Sequence, residues 1–167
     1  MTSAPRPLDG VKVVEFSHMV MGPTCGLILA DLGADVVKVE PASGGDNTRY
    51  LPGSGSGIFG TYNRNKRSVS VNLKSPEGLE FASRLVRESD VLIENFSAGV
   101  LERLGLGYEA MQKANPRLVY CALKGFLSGP YEQRVALDEV VQMMGGLAYM
   151  TGPEGRPLRA GASVNDV

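Results

Sequence analysis

The chain has 167 residues, of which 43% are hydrophobic and 21% are charged, and its formal net charge is -1. This length is sufficient for one globular domain with a substantial core. The balanced charge provides no general attraction to nucleic acid or to an acidic membrane, so we expect neither as a partner. No apolar run is long enough to cross a bilayer, and the first residues lack the apolar core of a signal peptide, so we expect a cytoplasmic protein.

Residues 11–40 predict a strand, a helix and a second strand. Residues 11–16 and 36–40 are short segments rich in β-branched side chains, which is typical of strands. Residues 24–32 have apolar side chains at helical spacing, and Gly33 follows them as a C-terminal cap. Strand, helix and strand in about thirty residues form a βαβ unit, whose right-handed crossover requires parallel strands. We therefore predict an α/β fold built on a parallel sheet.

The glycine-rich segment 41–57 predicts a long surface loop, which is a candidate lid over a site. Gly55, Gly57 and Gly60 satisfy the spacing GxGxxG. No strand precedes these glycines and no apolar helix follows them, so we do not predict a dinucleotide site.

The remaining elements extend the sheet and cover it. Strands are predicted at residues 68–73, 91–94 and 118–123, and helices at residues 76–87, 99–104, 108–114 and 138–144. Ser75 before Pro76 is typical of a helix N-cap. Gly145 and Gly146 predict the end of the last helix, and residues 151–155 predict a turn-rich connector.

Polar residues follow most of the predicted strands. They are Ser17, His18, Glu40, Lys74, Asn95 and Lys124, and Phe96 and Gly125 directly follow the last two. Ligands of open parallel sheets bind beyond the carboxyl ends of the strands, so these residues predict a site for an anionic ligand with one aromatic contact. Taken singly, each residue is more typical of an ordinary solvated turn, and it is their occurrence together at the strand ends that favours a site.

The residue types limit the catalytic chemistry. His18 is the only histidine, which limits acid–base catalysis, and the sequence gives no grounds for a Ser-His-Asp arrangement. Cys25 and Cys121 lie in separate apolar segments, so we expect reduced thiols and no metal site. A carboxylate is the remaining plausible nucleophile and suits acyl transfer, because an acyl-aspartate is an activated anhydride. Which carboxylate acts is left open by these residues.

Several sequence blocks carry a family resemblance. They include Leu32-Gly33-Ala34-Asp35-Val36-Val37-Lys38-Val39-Glu40, Asn65-Lys66-Arg67-Ser68, Leu73-Lys74-Ser75-Pro76-Glu77-Gly78 and Asp90-Val91-Leu92-Ile93-Glu94-Asn95-Phe96. In order and spacing these blocks resemble the class III CoA-transferases, a family that includes formyl-CoA transferase, carnitine CoA-transferase and α-methylacyl-CoA racemase. The resemblance covers the whole chain.

The resemblance implies a Rossmann-like parallel sheet with helices on both faces, an acyl-CoA and a carboxylic acid as substrates, and no permanently bound cofactor. It also implies a homodimer of two interlocked rings. Members of the family are more than twice as long. We therefore expect residues 1–167 to be the N-terminal part of the CoA-binding large domain, with the small domain and the returning C-terminal segment absent from this chain.

The resemblance also assigns site residues. Asp166, in Gly161-Ala162-Ser163-Val164-Asn165-Asp166, matches the family's nucleophile. The positions that match its CoA contacts are His18, Met19, Val71, Lys74, Asn95, Phe96, Arg103 and Leu104. Pro41 stands where some relatives carry a basic residue, so the contacts at the adenine end are left open.

The resemblance implies two possible reactions and one alternative without catalysis. CoA transfer is the leading one, and racemisation beside the thioester is its rival. The family's racemases place a histidine immediately before the aspartate that matches Asp138, and this chain has Leu137 there, which favours transfer. The third alternative is a fragment that binds CoA without catalysis.

Overall fold

The computed structural model describes residues 4–167, apart from the side chain of residue 54. The chain forms two compact units, Met1–Leu123 and Lys124–Val167. The sheet of the first unit comprises β1 (Lys12–Phe16), β2 (Asp35–Pro41), β3 (Arg67–Val71), β4 (Val91–Glu94) and β5 (Val119–Ala122). Its helices are α1 (Met21–Asp31), α2 (Ile58–Tyr62), α3 (Pro76–Arg87), α4 (Val100–Arg103) and α5 (Tyr108–Ala114).

The strands are all parallel and lie in the order β3-β2-β1-β4-β5. The chain first adds strands on one side of β1 and then returns to add β4 and β5 on the other side. This reversal between β1 and β4 creates the crevice in which open α/β sheets hold ligands. The arrangement is Rossmann-like, and it confirms the predicted fold class.

Helices cover both faces of the sheet. Val14 and its neighbours on one face pack with residues of α3, α4 and α5, whereas Val13 and its neighbours on the other face pack with residues of α1. Successive strand residues point to opposite faces, so these two adjacent valines belong to different clusters, and both are buried. A strand buried on both faces explains the continuous apolar sequence of β4.

Local signals fixed several element ends. The Ser75 hydroxyl accepts a hydrogen bond from the Gly78 N–H at 3.1 Å, and Pro76 is the first residue of α3, as predicted. Gly33 follows the end of α1 with a φ of 111°, a conformation that favours glycine. The first helix begins three residues before its predicted start, at Met21.

The segment after β2 is not the irregular loop that its glycines predicted. It contains two short 3-10 helices, Asn47–Tyr50 and Gly53–Gly55, and is followed by α2. Asp46 and Thr48 are buried, and Asp46 accepts hydrogen bonds from the Thr48 N–H at 2.8 Å and from its hydroxyl at 2.7 Å. The segment is therefore anchored in the fold.

A chain of buried charges links this segment to the sheet. The Lys38 ammonium lies 3.2 Å from Glu15 and 3.0 Å from Asp46, and the Lys66 ammonium lies 2.8 Å from the second oxygen of Glu15. All four side chains are 2% exposed or less. Burial lowers the pKa of Lys66, and the charge of Glu15 opposes that shift. Two cations alternate with two anions, so each buried charge has a partner.

The second unit contains α6 (Asp138–Met144) and α7 (Leu147–Thr151). Helix α6 has its predicted bounds, but α7 was not predicted. Gly146 has a φ of 84° and precedes α7, so the two glycines form a connection between helices as well as a stop. In the part of the chain that the structure describes, no helix has the length and apolarity needed to span a membrane.

We predict that Lys38→Met strongly destabilises the first unit, because it leaves Asp46 and Glu15 buried with too little positive charge. The expected loss in the free energy of unfolding is roughly 3–5 kcal/mol, measured by urea denaturation of the natural full-length protein. Arg67→Met is the matched control, since Arg67 pairs with Asp35 on the surface and its loss should cost less than about 1 kcal/mol. Equal effects of the two substitutions would contradict the stabilising role of the buried charges.

Candidate functional site

The turns after β1 and β4 are joined at the crevice of the sheet. The Asn95 side chain accepts a hydrogen bond from the His18 N–H at 3.0 Å and donates one to the His18 carbonyl at 2.8 Å. The His18 ring lies 5.9 Å from the Phe96 ring, between centroids. Three of the predicted contact residues are therefore brought together by the strand order.

The imidazole of His18 is desolvated by its surroundings although the residue as a whole is exposed. This desolvation lowers the pKa of His18, and the carboxylate of Asp46 opposes the shift while the ammonium of Lys38 adds to it. The neutral ring is thus favoured near pH 7. A neutral imidazole beside Phe96 offers a ligand flat apolar surface and one hydrogen-bond donor.

The backbone of this turn is held in an unusual conformation. Met19 has a φ of 64° and its side chain is exposed. A Cβ atom on Gly22 would overlap the side chain of Ser17 and lie 3.0 Å from Asn95. Helix α1 therefore begins directly against the turn, and only glycine permits that approach.

The other predicted contacts follow β3 and β4 in the chain, or end β3 in the case of Val71. Val71 is buried in the core cluster that contains Val14, and Phe96 and Leu104 pack against it. Lys74 and Arg103 are exposed. Among residues 4–167, no carboxylate forms an ion pair with either of these two cations. The predicted contacts thus include partly buried apolar side chains and two cations that no described carboxylate neutralises.

Two of the residues predicted to face a ligand, Ser17 and Glu40, instead form hydrogen bonds within the fold. The Ser17 hydroxyl donates to buried Glu15 at 2.5 Å. Glu40 accepts hydrogen bonds from Nε and Nη2 of Arg49 at 2.8 and 2.7 Å and from the Ser68 hydroxyl at 2.5 Å. Burial raises the pKa of Glu40, but these bonds and the Asp46 N–H outweigh it and lower the pKa to about 2.

A polar cavity of about 300 Å³ lies beside Glu40. It is lined by Glu40, Ala42, Gly44, Gly45, Arg49, Tyr50, Ser68 and Ser70. Arg49 also stacks over the Phe59 ring at 3.7 Å, so its guanidinium is fixed from two directions. The sequence did not indicate Arg49, because its partner Glu40 lies in a strand nine residues earlier.

The second unit holds Asp166, Lys124 and Gly125. Asp166 is half-buried in a turn, where its N–H donates to the Ser163 carbonyl at 3.3 Å. Burial raises the pKa of Asp166, and the charges of Asp138 and Glu139 add to the shift. A carboxylate of higher pKa is a more basic and more reactive nucleophile.

Two buried polar residues near Asp166 were missed as site residues. Asp138 is 5% exposed and Gln142 is fully buried, and both hydrogen-bond to the segment that precedes Asp166. They lie four residues apart on α6, and this spacing places them on one face of the helix. Two polar residues on an otherwise apolar face are a signal that the sequence contained. Within residues 4–167, no group of three potential metal ligands is assembled.

Comparison with known proteins identifies a family. Residues 8–167 match the family model described as CoA-transferase family III. The chain is 42% identical to the succinate–glutarate CoA-transferase of Agrobacterium fabrum, over all of this chain and 46% of that protein. It is 45% identical to the formyl-CoA:oxalate CoA-transferase of Rhodopseudomonas palustris, over 96% of this chain and 39% of that protein.

Solved structures agree with the sequence matches. A CAIB/BAIF family protein from Brucella suis superposes with a TM-score of 0.91 at 42% identity, over 98% of this chain and 46% of that one. A hypothetical protein from Mycobacterium tuberculosis gives a TM-score of 0.89 at 37% identity, over 96% of this chain and 46% of that one. The chain thus spans less than half the length of these relatives.

We predict that Glu40→Gln lowers stability most above pH 4.5 and progressively less toward pH 2. The pKa of Glu40 falls from its usual 4.5 to about 2 on folding. The unfolded wild-type chain therefore binds a proton at Glu40 before the folded chain does, so the stabilising contribution of this carboxylate is lost as the pH falls. Urea denaturation of both proteins at pH 7, 4 and 3 measures the difference.

The control for this series is Glu80→Gln, at an exposed ion pair with Arg87. It should remain within about 1 kcal/mol of wild type at each pH. If the difference in the free energy of unfolding between Glu40→Gln and wild type were the same at all three pH values, the lowered pKa of Glu40 would be contradicted.

Proposed function

The chain belongs to CoA-transferase family III, and we propose on that premise that the protein transfers CoA from an acyl-CoA to a carboxylic acid. The observation that carries the proposal is the family match over residues 8–167, which includes both the crevice residues and Asp166. The uncommitted cations and apolar surface at the end of the sheet suit a ligand with phosphates, an adenine and an apolar arm.

The names of the relatives suggest the substrate class. Those proteins are named for succinate and glutarate, and for a formyl group and oxalate. All of these are small acyl groups or carboxylates. We therefore assign small mono- or dicarboxylic acids to the donor and acceptor, without choosing between them.

The reaction begins at Asp166. Its carboxylate attacks the thioester carbon, the carbon–sulfur bond breaks, and the CoA thiolate leaves, giving an anhydride between Asp166 and the acyl group. The thiolate then attacks the aspartyl carbonyl. The donor acid leaves as its carboxylate, and CoA becomes a thioester of Asp166.

The acceptor completes the cycle by the same steps in reverse order. Its carboxylate attacks the aspartyl thioester and releases the thiolate, giving an anhydride between the acceptor and Asp166. The thiolate then attacks the acceptor carbonyl, which forms the new acyl-CoA and restores the Asp166 carboxylate. No net proton is taken up or released, so the cycle requires no histidine base.

Different site residues are assigned to different parts of the coenzyme. Lys74 and Arg103 are assigned to the phosphates. Phe96 and Leu104 are assigned to apolar contact with the adenine or the pantetheine arm. Val71, at the end of β3, is assigned with Lys74 to the nucleotide end. The peptide of His18 and Met19, held by Asn95, is assigned to the wall of the crevice that the arm passes.

The family also suggests the larger architecture. We assign residues 1–167 to the N-terminal part of a CoA-binding large domain that is completed by a small domain and a returning segment. The natural assembly is then an interlocked homodimer. The free thiols Cys25 and Cys121 support a cytoplasmic location.

Racemisation at the carbon beside the thioester is the second candidate. It requires an acid–base group on each side of that carbon. Asp138 is buried and hydrogen-bonded, and the residue before it is the exposed Leu137, which carries no exchangeable side-chain proton. This position therefore favours transfer. Binding of CoA without catalysis is the third candidate, and calorimetric titration with CoA beside a turnover assay separates it from both reactions.

We predict that Lys74→Met and Arg103→Met each raise the dissociation constant for CoA at least about tenfold, because a charge-assisted phosphate contact contributes about 1.5–3 kcal/mol. Added salt should weaken wild-type binding for the same reason. The control is Lys113→Met, an exposed cation near the end of α5. Calorimetric titration with CoA measures the dissociation constants of the three variants in the natural full-length protein. Unchanged affinity in both Lys74→Met and Arg103→Met would rule out this site.

We predict that Asp166→Asn abolishes transfer while CoA affinity and stability remain near wild type. Asparagine matches the size of aspartate but cannot form the anhydride. Wild-type protein incubated with acyl-CoA should carry a mass adduct on the peptide that contains Asp166, and the variant should carry none. Retained turnover in Asp166→Asn would refute this nucleophile.

A further inference from the structure

Helix α6 buries two polar side chains one turn apart. Gln142 is 0% exposed and Asp138 is 5% exposed. A buried amide or carboxylate is costly unless its hydrogen bonds are satisfied, so their partners indicate what the pair does.

The amide of Gln142 is bonded on both sides. Its oxygen accepts from the Ala160 N–H at 2.6 Å, and its nitrogen donates to the Ala162 carbonyl at 3.1 Å. The same nitrogen also donates to the Asp138 carboxylate. One side chain thus holds two backbone groups of the irregular segment before Asp166 and orients Asp138.

Asp138 holds a third backbone group of that segment. Its second oxygen accepts from the Asn165 N–H at 2.7 Å, and Asn165 is the immediate neighbour of Asp166. Backbone groups at residues 160, 162 and 165 are therefore fixed to one helix by two side chains. By contrast, the backbone hydrogen bond of Asp166 itself, to Ser163, is long at 3.3 Å.

We propose that Gln142, acting with Asp138, is a positioning residue that sets the direction of the Asp166 carboxylate for attack on the thioester. This inference rests on the proposed function of Asp166. A nucleophile must lie within a few tenths of an ångström of its reactive position, and a displacement of about 1 Å can cost about a hundredfold in rate. Fixing the chain immediately before the nucleophile provides that precision.

Glutamine suits this position because three different partners meet there. The Ala160 N–H requires an acceptor, whereas the Ala162 carbonyl and the Asp138 carboxylate both require a donor. An amide provides an acceptor on one side and two N–H groups on the other. A glutamate would present only acceptors and would place a second negative charge beside Asp138.

The first test compares Gln142→Leu with Gln112→Leu in the natural full-length protein. Gln112 is an exposed glutamine in α5, so Gln112→Leu makes the same substitution at a position outside the segment that precedes Asp166. We expect Gln142→Leu to lower kcat about tenfold to a hundredfold while KM for the acyl-CoA stays within about twofold. Gln112→Leu should match wild type. Unchanged kcat in Gln142→Leu would overturn the inference.

A second measurement does not depend on activity. The N–H groups of Ala160 and Asn165 are the donors held by Gln142 and Asp138, so their amide hydrogen exchange should accelerate in Gln142→Leu and not in Gln112→Leu. Exchange as slow as in wild type would show that the side chain does not hold this segment.

Gln142→Glu provides a variant of nearly unchanged size, which decides the question where Gln142→Leu fails to fold. Two adjacent carboxylates share a proton readily at lower pH, and that proton restores a hydrogen bond between positions 138 and 142. We expect the ratio of variant to wild-type kcat to rise from pH 8 to pH 6. The charged neighbours Glu139, Arg159 and Asp166 are present in both proteins, so the wild-type kcat at each pH is the reference for the pH dependence that the two proteins share. A flat ratio would overturn the inference.

The Asp166→Asn variant separates this inference from the proposed function. Inactive Asp166→Asn with fully active Gln142 variants would overturn only the positioning role. Active Asp166→Asn would overturn the nucleophile and, with it, the positioning role that depends on it.

Discussion

The first unit depends on the buried ion pair between Lys38 and Glu15. These residues are register partners on β2 and β1, so the pair is formed by the sheet itself. Each partner then recruits a second charge, Asp46 from the segment after β2 and Lys66 from the segment before β3. Removing any one charge would leave the other three without electrical balance in a medium of low polarity, so the two connecting segments are held to the sheet.

This network also supports the crevice. The Lys38 ammonium donates to the Ser17 carbonyl at 2.7 Å, directly before the turn that carries His18 and Met19. Asn95 fixes the same turn from the neighbouring strand. The turn is therefore held from both sides of β1. Such support is consistent with a binding wall that keeps its shape when a flexible ligand arrives, which lowers the entropic cost of binding.

In the second unit, the proposed role of Asp166 requires a carboxylate held in one direction. Asp138 contributes a hydrogen bond to the backbone beside Asp166 and a negative charge that raises the pKa of Asp166. Burial is the largest cause of that raised pKa, and Asp138 adds to it while also holding the adjacent backbone. The ion pair between Glu139 and Arg159, at 3.6 Å, links the same helix to the start of the segment. Nucleophilic catalysis by a carboxylate benefits from both effects.

The sequence by itself determined the parallel α/β fold and most helix and strand positions, because hydrophobic periodicity, the Ser75 cap and Gly33 act within a few residues of the chain. The family resemblance, which the family match confirms, named the candidate site residues, and their roles stay predictions. Tertiary structure alone decided that Glu40 pairs with Arg49, that the glycine-rich segment is anchored through Asp46, and that Gln142 holds the chain before Asp166. Those outcomes depend on hydrogen bonds and charges whose partners lie between 6 and 23 residues apart. Burial makes such partners obligatory, but the local sequence carries no information on which distant group the fold will bring beside them.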